Sequence, residues 1–167
     1  LGAVIASRKV VNAIAAGSGA FLHGFTYNAH PISLAAGSAV LRYLQTRKLV
    51  EAADSSRSGT PAAFFKAALE TLCDEKSVGD VRGIGLLWGI EFVADKSTRR
   101  PFQPARGFST RVAAAALKHG LLVYPMQGSI DGTSGDHILL APPAVITPDQ
   151  LSWSLDQLTS AIREAQQ

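Results

Sequence analysis

The pattern of apolar and polar positions divides the 167-residue chain into helical and strand-like segments. Apolar residues at three- and four-residue spacing are typical of amphipathic helices. This spacing occurs at residues 9–16, 31–44, 61–72, 108–119 and 148–162. Short runs rich in Val, Ile and Leu predict strands at 1–7, 121–125 and 137–141. The run at 78–93 is interrupted by glycines and predicts two strands that meet near Gly83 or Gly85. Strands interleaved with helices predict an α+β fold with helices over one face of a small sheet.

Two helix starts carry specific sequence signals. Pro31 suits a first helical turn, because no intrahelical hydrogen-bond donor is lost there. Thr147 can cap the last helix, with Pro148 at its first position and Gln150 at capping-box spacing. The polar run DSSRSGTP at 54–61 predicts a loop between two helices.

The first seven residues, LGAVIAS, form a strongly apolar run. A strand this apolar is usually buried inside a sheet, between neighbouring strands. We therefore expect this strand, and the loop after it, to belong to a domain that lies mostly outside this chain.

Composition narrows the class of protein. A hydrophobic content of 47% over 167 residues predicts one ordinary domain with its own core. No apolar run reaches the roughly 18 residues of a membrane span, and the first residues lack signal-peptide features. We expect a cytoplasmic protein without a membrane partner.

The net charge and the spacing of the histidines and Cys73 argue against a nucleic-acid-binding protein and against a metal site. The net charge of +3 comes from scattered basic residues, so no nucleic-acid partner is predicted. The four histidines and the single Cys73 show no metal-ligand spacing, and no metal site is predicted. The helical neighbours of Cys73 favour a buried core position over a nucleophile.

The segment HGFTYNAHP, residues 23–31, is the main candidate for chemistry. A Gly24-Phe25-Thr26 turn offers backbone N–H groups and a hydroxyl, a combination suited to phosphate or another anion. Alternatively, the Thr26 hydroxyl bonds local backbone and only starts a turn. His23 and His30 are more often packing or capping residues than catalysts.

Several blocks in sequence order resemble one family. They are LGAVIAS, GSGAFLHGFTYNAHPISLAAGSAVL, VGDVRGIGLLWGIEFV, GLLVYP and GDHILLAPPAVITPDQL. Together they resemble the C-terminal portion of class III pyridoxal-phosphate-dependent aminotransferases of fold type I. The resemblance implies a small C-terminal α+β domain with a three- to four-stranded, mainly antiparallel sheet. It further implies three parts: the end of the large cofactor-binding domain at 1–30, interdomain helices at 31–77 and the small domain at 78–167.

The resemblance also implies a role for the candidate turn. In such enzymes the threonine of this motif reaches across a dimer interface and binds the phosphate of pyridoxal 5'-phosphate in the other subunit. Thr26 is the matching residue, with Gly24 and Phe25 setting the backbone approach and Phe25 bordering the partner's substrate pocket. A homodimer with shared active sites is therefore expected, acting on a small-molecule amino donor and a keto acceptor.

Two features depart from the family pattern. None of the six lysines matches the Schiff-base position, so this chain alone is expected to be inactive and to hold no catalytic residue. The segment SIDGTSGDH contains no arginine where the family often binds a substrate carboxylate, which leaves the substrate open. Arg82 matches a family position and is expected to be structural.

Three functions stay open from the sequence. The first is an aminotransferase, exchanging an amino group between a donor and a keto acid or aldehyde. The second is an aminomutase or racemase of the same fold, because chemistry on this fold varies with the substrate pocket. The third is a non-catalytic phosphate-binding or interaction module.

Overall fold

The computed structural model describes every residue from Leu1 to Gln167, in two units, Leu1–Arg47 and Lys48–Gln167. The first unit contains helices α1 (Arg8–Ala16) and α2 (Pro31–Thr46). The second contains helices α3 (Leu49–Ala52), α4 (Pro61–Glu70), α5 (Phe108–Lys118) and α6 (Pro148–Gln166). Its strands are β1 (Val78–Ile84), β2 (Leu87–Phe92), β3 (Tyr124–Gln127) and β4 (Asp136–Leu140). Two short 3₁₀ helices, Thr71–Asp74 and Pro104–Arg106, complete it. None of the helices combines the length and apolarity needed to cross a bilayer.

The four strands form one antiparallel sheet in the order β1-β2-β4-β3. The predicted pair of strands at 78–93 is confirmed, as a hairpin that turns at Gly85. Gly85 has a φ of 60°, and a Cβ there would lie 2.7 Å from the Ala53 carbonyl oxygen. Only glycine fits this turn without strain.

Strand β3 begins later than the predicted 121–125 run. Pairing starts at Tyr124 opposite Leu139 and continues to Gln127, so Leu121–Val123 form a connection after α5. Pro125 lies inside β3 and has no N–H to donate, which restricts it to an edge strand. The sheet order places β3 at an edge, in agreement with this constraint.

One face of the sheet carries the core. Trp88, Ile90 and Phe92 alternate along β2 and are buried, at 4% exposed or less. They belong to one cluster with residues of α4, α5 and α6, so the predicted helices over one sheet face are confirmed. The ring of Phe108 packs edge-on against Phe92 at 5.1 Å and stacks on Phe102 at 4.2 Å.

A buried carboxylate ties β4 to the start of α5. Asp136 is 1% exposed, and its Oδ1 accepts hydrogen bonds from the Ser109 N–H at 2.9 Å and the Ser109 hydroxyl at 2.8 Å. The Gln127 amide donates to the same oxygen at 3.0 Å. Gly107 precedes α5 and has no side chain to cap it. Asp136 therefore supplies the N-terminal cap of α5 from strand β4.

The predicted helix starts are confirmed. The Thr147 hydroxyl accepts from the Gln150 N–H at 3.3 Å, and the Gln150 side chain accepts from the Thr147 N–H at 3.0 Å. Together these contacts form a capping box, with Pro148 at the first position of the helix. Pro31 likewise begins α2.

Two sequence predictions were wrong in detail. Residues 1–7 form no strand, because none of the four strands pairs with them and an isolated strand leaves its backbone groups without partners. Cys73 is exposed, not buried. It follows the end of α4 in a 3₁₀ turn, where Leu72 takes the buried position.

We predict that Asp136→Ala lowers the free energy of unfolding by about 2 to 4 kcal/mol, because two buried donors of Ser109 lose their acceptor. Asp136→Asn keeps one acceptor oxygen and should recover about half of that loss. Urea unfolding of the 167-residue chain measures both. Asp131→Ala is a matched control, since Asp131 also accepts three hydrogen bonds but is exposed. Its loss should be smaller; equal losses for both alanine variants would contradict the capping role.

A second prediction concerns pH. Hydrogen bonds from Lys118 and then His119 lower the pKa of Glu164 below its ordinary 4.5. A carboxylate with a lowered folded-state pKa stabilises the fold above pH 4.5, and this contribution disappears as pH falls through the lowered value. Lys118→Met should therefore reduce the melting temperature at about pH 6 and converge with the parent protein near about pH 3. Lys76→Met removes an exposed lysine that forms no ion pair, and its offset should be the same at both pH values.

Candidate functional site

The segment at residues 25–30 folds into two successive turns that lead into α2. The Asn28 N–H donates to the Phe25 carbonyl at 2.8 Å, and the His30 N–H donates to the Tyr27 carbonyl at 3.2 Å. Ala29 has a φ of 58°, in the left-handed region. The turns present Thr26 at their beginning, on the exposed surface of the first unit.

Thr26 has two free hydrogen-bond donors. Neither its hydroxyl nor its N–H contacts a partner in the chain, and the residue is exposed. The alternative of a local hydroxyl-to-backbone bond therefore does not form. A backbone N–H and a hydroxyl on one exposed residue are suitable donors for phosphate oxygens. The turn fits the phosphate of the expected cofactor.

Gly24 and Phe25 leave the approach to Thr26 open. A Cβ added at Gly24 would have no heavy atom within 4 Å, so there is open space on that side of the backbone. The Phe25 side chain is 64% exposed, and its ring lies tilted against that of Tyr27 at 5.8 Å. A ligand or a second chain can thus reach the backbone at Gly24 and the Phe25 ring.

His30 forms the N-terminal cap of α2. Its Nδ1 accepts from the Ser33 N–H at 3.3 Å and lies 3.1 Å from the Ser33 hydroxyl. The prediction of a packing or capping role is confirmed for His30. His23 makes no side-chain hydrogen bond, and its ring lies 5.8 Å from that of Phe21.

All six lysines are exposed, at positions 9, 48, 66, 76, 96 and 118. Lys96 donates to the carbonyl oxygens of Cys73 and Glu75, and Lys118 pairs with Glu164. A Schiff-base lysine needs a neutral amine, which enzymes obtain by burial or by neighbouring cations. The chain offers no lysine in such surroundings.

Arg82 and the loop after β3 are structural in this chain. The Arg82 guanidinium donates to Asp80 at 2.5 Å and to Glu91 at 2.8 Å. The bond to Glu91, and then the bond to Asp80, raise the pKa of Arg82.

In the loop after β3, backbone N–H groups of Ser134 and Thr133 bind the Asp131 carboxylate and lower its pKa to about 2. The loop holds an anion of its own and no cation for a substrate carboxylate.

An apolar cavity of about 570 Å³ lies in the second unit. Its walls include Phe65, Leu140 and Leu158, and its polar side chains are Tyr124 and Ser154. A phosphate requires several donors or a cation. The Thr26 turn is therefore the better phosphate site of the two.

Sequence reasoning missed two features around these positions. No glycine signals the left-handed backbone of Ala29, which becomes visible only in the folded turn. The resemblance gave no role to Asp136 of the GDHILLAPPAVITPDQL block, whose side chain caps α5. Spacing along the chain cannot indicate that contact, because Asp136 and Ser109 lie 27 residues apart.

The family model of class-III aminotransferases matches residues 1–162. An uncharacterized aminotransferase of Schizosaccharomyces pombe is 38% identical over 159 residues, which cover 95% of this chain and 34% of that protein. An uncharacterized aminotransferase of Bacillus subtilis is 37% identical over 152 residues, covering 90% of this chain and 33% of the relative. A probable mitochondrial gamma-aminobutyrate transaminase of Oryza sativa is 29% identical over 170 residues, covering 100% of this chain and 31% of the relative.

Solved structures of transaminases share the fold. An (S)-enantioselective omega-transaminase from Thermomicrobium roseum has a TM-score of 0.78 at 27% identity, over 96% of this chain and 33% of the other. An amine transaminase from an uncultivated Pseudomonas species, solved with pyridoxal phosphate bound, has a TM-score of 0.76 at 32% identity, over 95% of this chain and 34% of the other. The chain spans about a third of the length of the relatives that it matches. With the family model matching 162 of 167 residues, this chain belongs to the class-III aminotransferase family.

Proposed function

We propose that this chain forms part of a pyridoxal-phosphate-dependent aminotransferase, in which Thr26 binds the cofactor phosphate. The observation that carries the proposal is the exposed Thr26 with two free donors. Membership in the class-III family and the transaminase names of its relatives support the reaction type. No observation favours the mutase, the racemase or the non-catalytic module.

Each residue of the turn has a defined part in this proposal. The Thr26 hydroxyl and N–H donate to phosphate oxygens, and such charge-assisted bonds hold the anion firmly. Gly24 lets the ligand approach the backbone, and Phe25 borders the substrate pocket. When bound, pyridoxal phosphate supplies the electron sink that moves an amino group from a donor to a keto acid or aldehyde. The substrates are small molecules of these two classes.

The first unit supports assembly as a two-fold homodimer. None of its helical residues is buried within the chain, and large apolar side chains on it are exposed. They include Phe21 at 70%, Leu22 at 95% and Ile32 at 75% exposure. Apolar surface of this extent is covered by further protein, and both the rest of the large domain and a second copy are suited to this. In a two-fold dimer, Thr26 of each copy serves the cofactor of the other, so each site contains residues of both chains.

The organisation of the whole protein is part of the proposal. Residues 1–30 end the large cofactor-binding domain, residues 31–77 link the domains, and residues 78–167 form the small domain. A cytoplasmic location stays a prediction, and the name of the rice relative gives that protein a mitochondrial location.

We predict that Thr26→Val weakens binding of pyridoxal phosphate to the full-length enzyme by about 1 to 3 kcal/mol, or about 5- to 150-fold. Valine keeps the branched shape and removes only the hydroxyl. Thr26→Ser retains the hydroxyl and should bind close to the parent affinity. Equilibrium dialysis with absorbance detection measures each dissociation constant.

Thr110→Val provides the control for this experiment. Thr110 is an exposed threonine on α5 without a side-chain hydrogen bond, so its replacement should leave the affinity unchanged. An unchanged affinity in Thr26→Val would remove the basis of the proposed phosphate site.

The reaction class has its own test. We expect the full-length enzyme to convert only a stoichiometric amount of a primary amine, such as γ-aminobutyrate, until a keto acid is added. Continuous turnover should then begin, because amino transfer requires an acceptor to regenerate the cofactor. A panel of amines and keto acids followed by chromatography measures this. Turnover of an amino acid without any acceptor would indicate a mutase or racemase instead.

A further inference from the structure

His30 connects the candidate phosphate turn to α2 through both its backbone and its side chain. Its N–H donates to the Tyr27 carbonyl at 3.2 Å, and its carbonyl accepts from the Leu34 N–H at 3.0 Å. Its Nδ1 accepts from the Ser33 N–H at 3.3 Å. Hydrogen bonds thus join His30 to Tyr27 on one side and to the first turn of α2 on the other.

The capping contact defines the tautomer of the neutral His30 imidazole. Because Nδ1 accepts a hydrogen bond from the backbone, the neutral ring carries its proton on Nε2. Ser, Thr, Asp and Asn are the usual capping residues, since their short side chains place an acceptor near the N2 and N3 amides. Histidine adds a ring to this function: it meets the Tyr27 ring edge-on, with centroids 6.4 Å apart. One side chain therefore holds both the helix start and the residue that follows Thr26.

The backbone between Tyr27 and His30 has a conformation that needs neighbouring contacts to hold it. Ala29 has a φ of 58°, a region that residues with a Cβ rarely adopt. Strained conformations persist where their surroundings hold them, and they concentrate at functional sites. The cap on one side of Ala29 and the Tyr27 contact on the other supply that hold.

We propose that His30 is a positioning residue for Thr26, which fixes the turn in the conformation that keeps both Thr26 donors free for a phosphate. This inference rests on the proposed function of Thr26. His30 does not touch the phosphate; it acts by capping α2 and holding the turn between Phe25 and His30.

The test compares variants of the full-length enzyme by their dissociation constants for pyridoxal phosphate. His30→Ala removes the cap and should weaken binding about 3- to 30-fold, the range that corresponds to loss of a helix cap. His30→Asn restores a capping acceptor and should return the affinity to within about three-fold of the parent. His137→Ala, a histidine on β4 outside the turn, is the matched control and should change nothing.

A double-variant cycle then shows whether His30 acts through Thr26. If it does, His30→Ala should weaken binding much less in a Thr26→Val background than in the parent, because coupled residues are not additive. Amide hydrogen exchange of the cofactor-free enzyme gives a second readout: the Ser33 and Asn28 amides should exchange faster in His30→Ala and be protected again in His30→Asn.

Each contrary outcome has one meaning. Parent-like affinity and exchange in His30→Ala, with Thr26→Val still weakened, overturn the role of His30 and leave the phosphate site intact. Fully additive losses in the double variant, or failure of His30→Asn to restore binding, also overturn it. Parent-like affinity in Thr26→Val, with exchange still altered in His30→Ala, means instead that the proposed phosphate site is wrong.

Discussion

The structure depends on the requirement that backbone and side-chain donors find acceptors when they are removed from water. No buried side-chain nitrogen or oxygen lacks a partner. Asp136 meets it most directly, by accepting three hydrogen bonds at one oxygen from α5 and β3. Around Thr26 the opposite holds, because two donors stay free on an exposed turn. Satisfied donors stabilise the fold, and free donors can bind a ligand.

The two units differ in how much of their apolar surface the chain itself buries. The second unit has a helix-covered sheet with an aromatic cluster at Phe92, Phe102 and Phe108, and its core is complete in itself. The first unit exposes large apolar side chains and carries Thr26 at the beginning of its two turns. The apolar side chains and the free donors of the first unit are both accessible to protein or ligand from outside this chain.

Much of the fold was predictable because its signals are local. Pro31, Thr147 and Gln150 act on backbone groups within a few residues, so the helix starts could be identified from spacing. The hairpin at Gly85 follows from a glycine between two apolar runs. Errors arose where distant parts of the chain decide. Residues 1–7 have the composition of a strand without a strand beside them, and Cys73 turns outward because α4 ends just before it.

The candidate site was predictable in part. The residues Gly24, Phe25 and Thr26 were identified by resemblance, and their donors by chemistry. Residue types could not show that the Thr26 hydroxyl makes no local bond, because threonine hydroxyls often bond to nearby backbone groups. The left-handed backbone of Ala29 is likewise visible only in the folded turn.

The loop after β3 contains no arginine for a substrate carboxylate. The loop after β3, where the family often binds a carboxylate, is instead closed around the Asp131 carboxylate, which accepts hydrogen bonds from the Thr133 and Ser134 N–H groups. A carboxylate substrate would be repelled there. Since Arg82 is already bound by Asp80 and Glu91, no free guanidinium on the sheet replaces the missing cation. The loop and the sheet of this chain therefore supply no free guanidinium or ammonium for an acidic substrate.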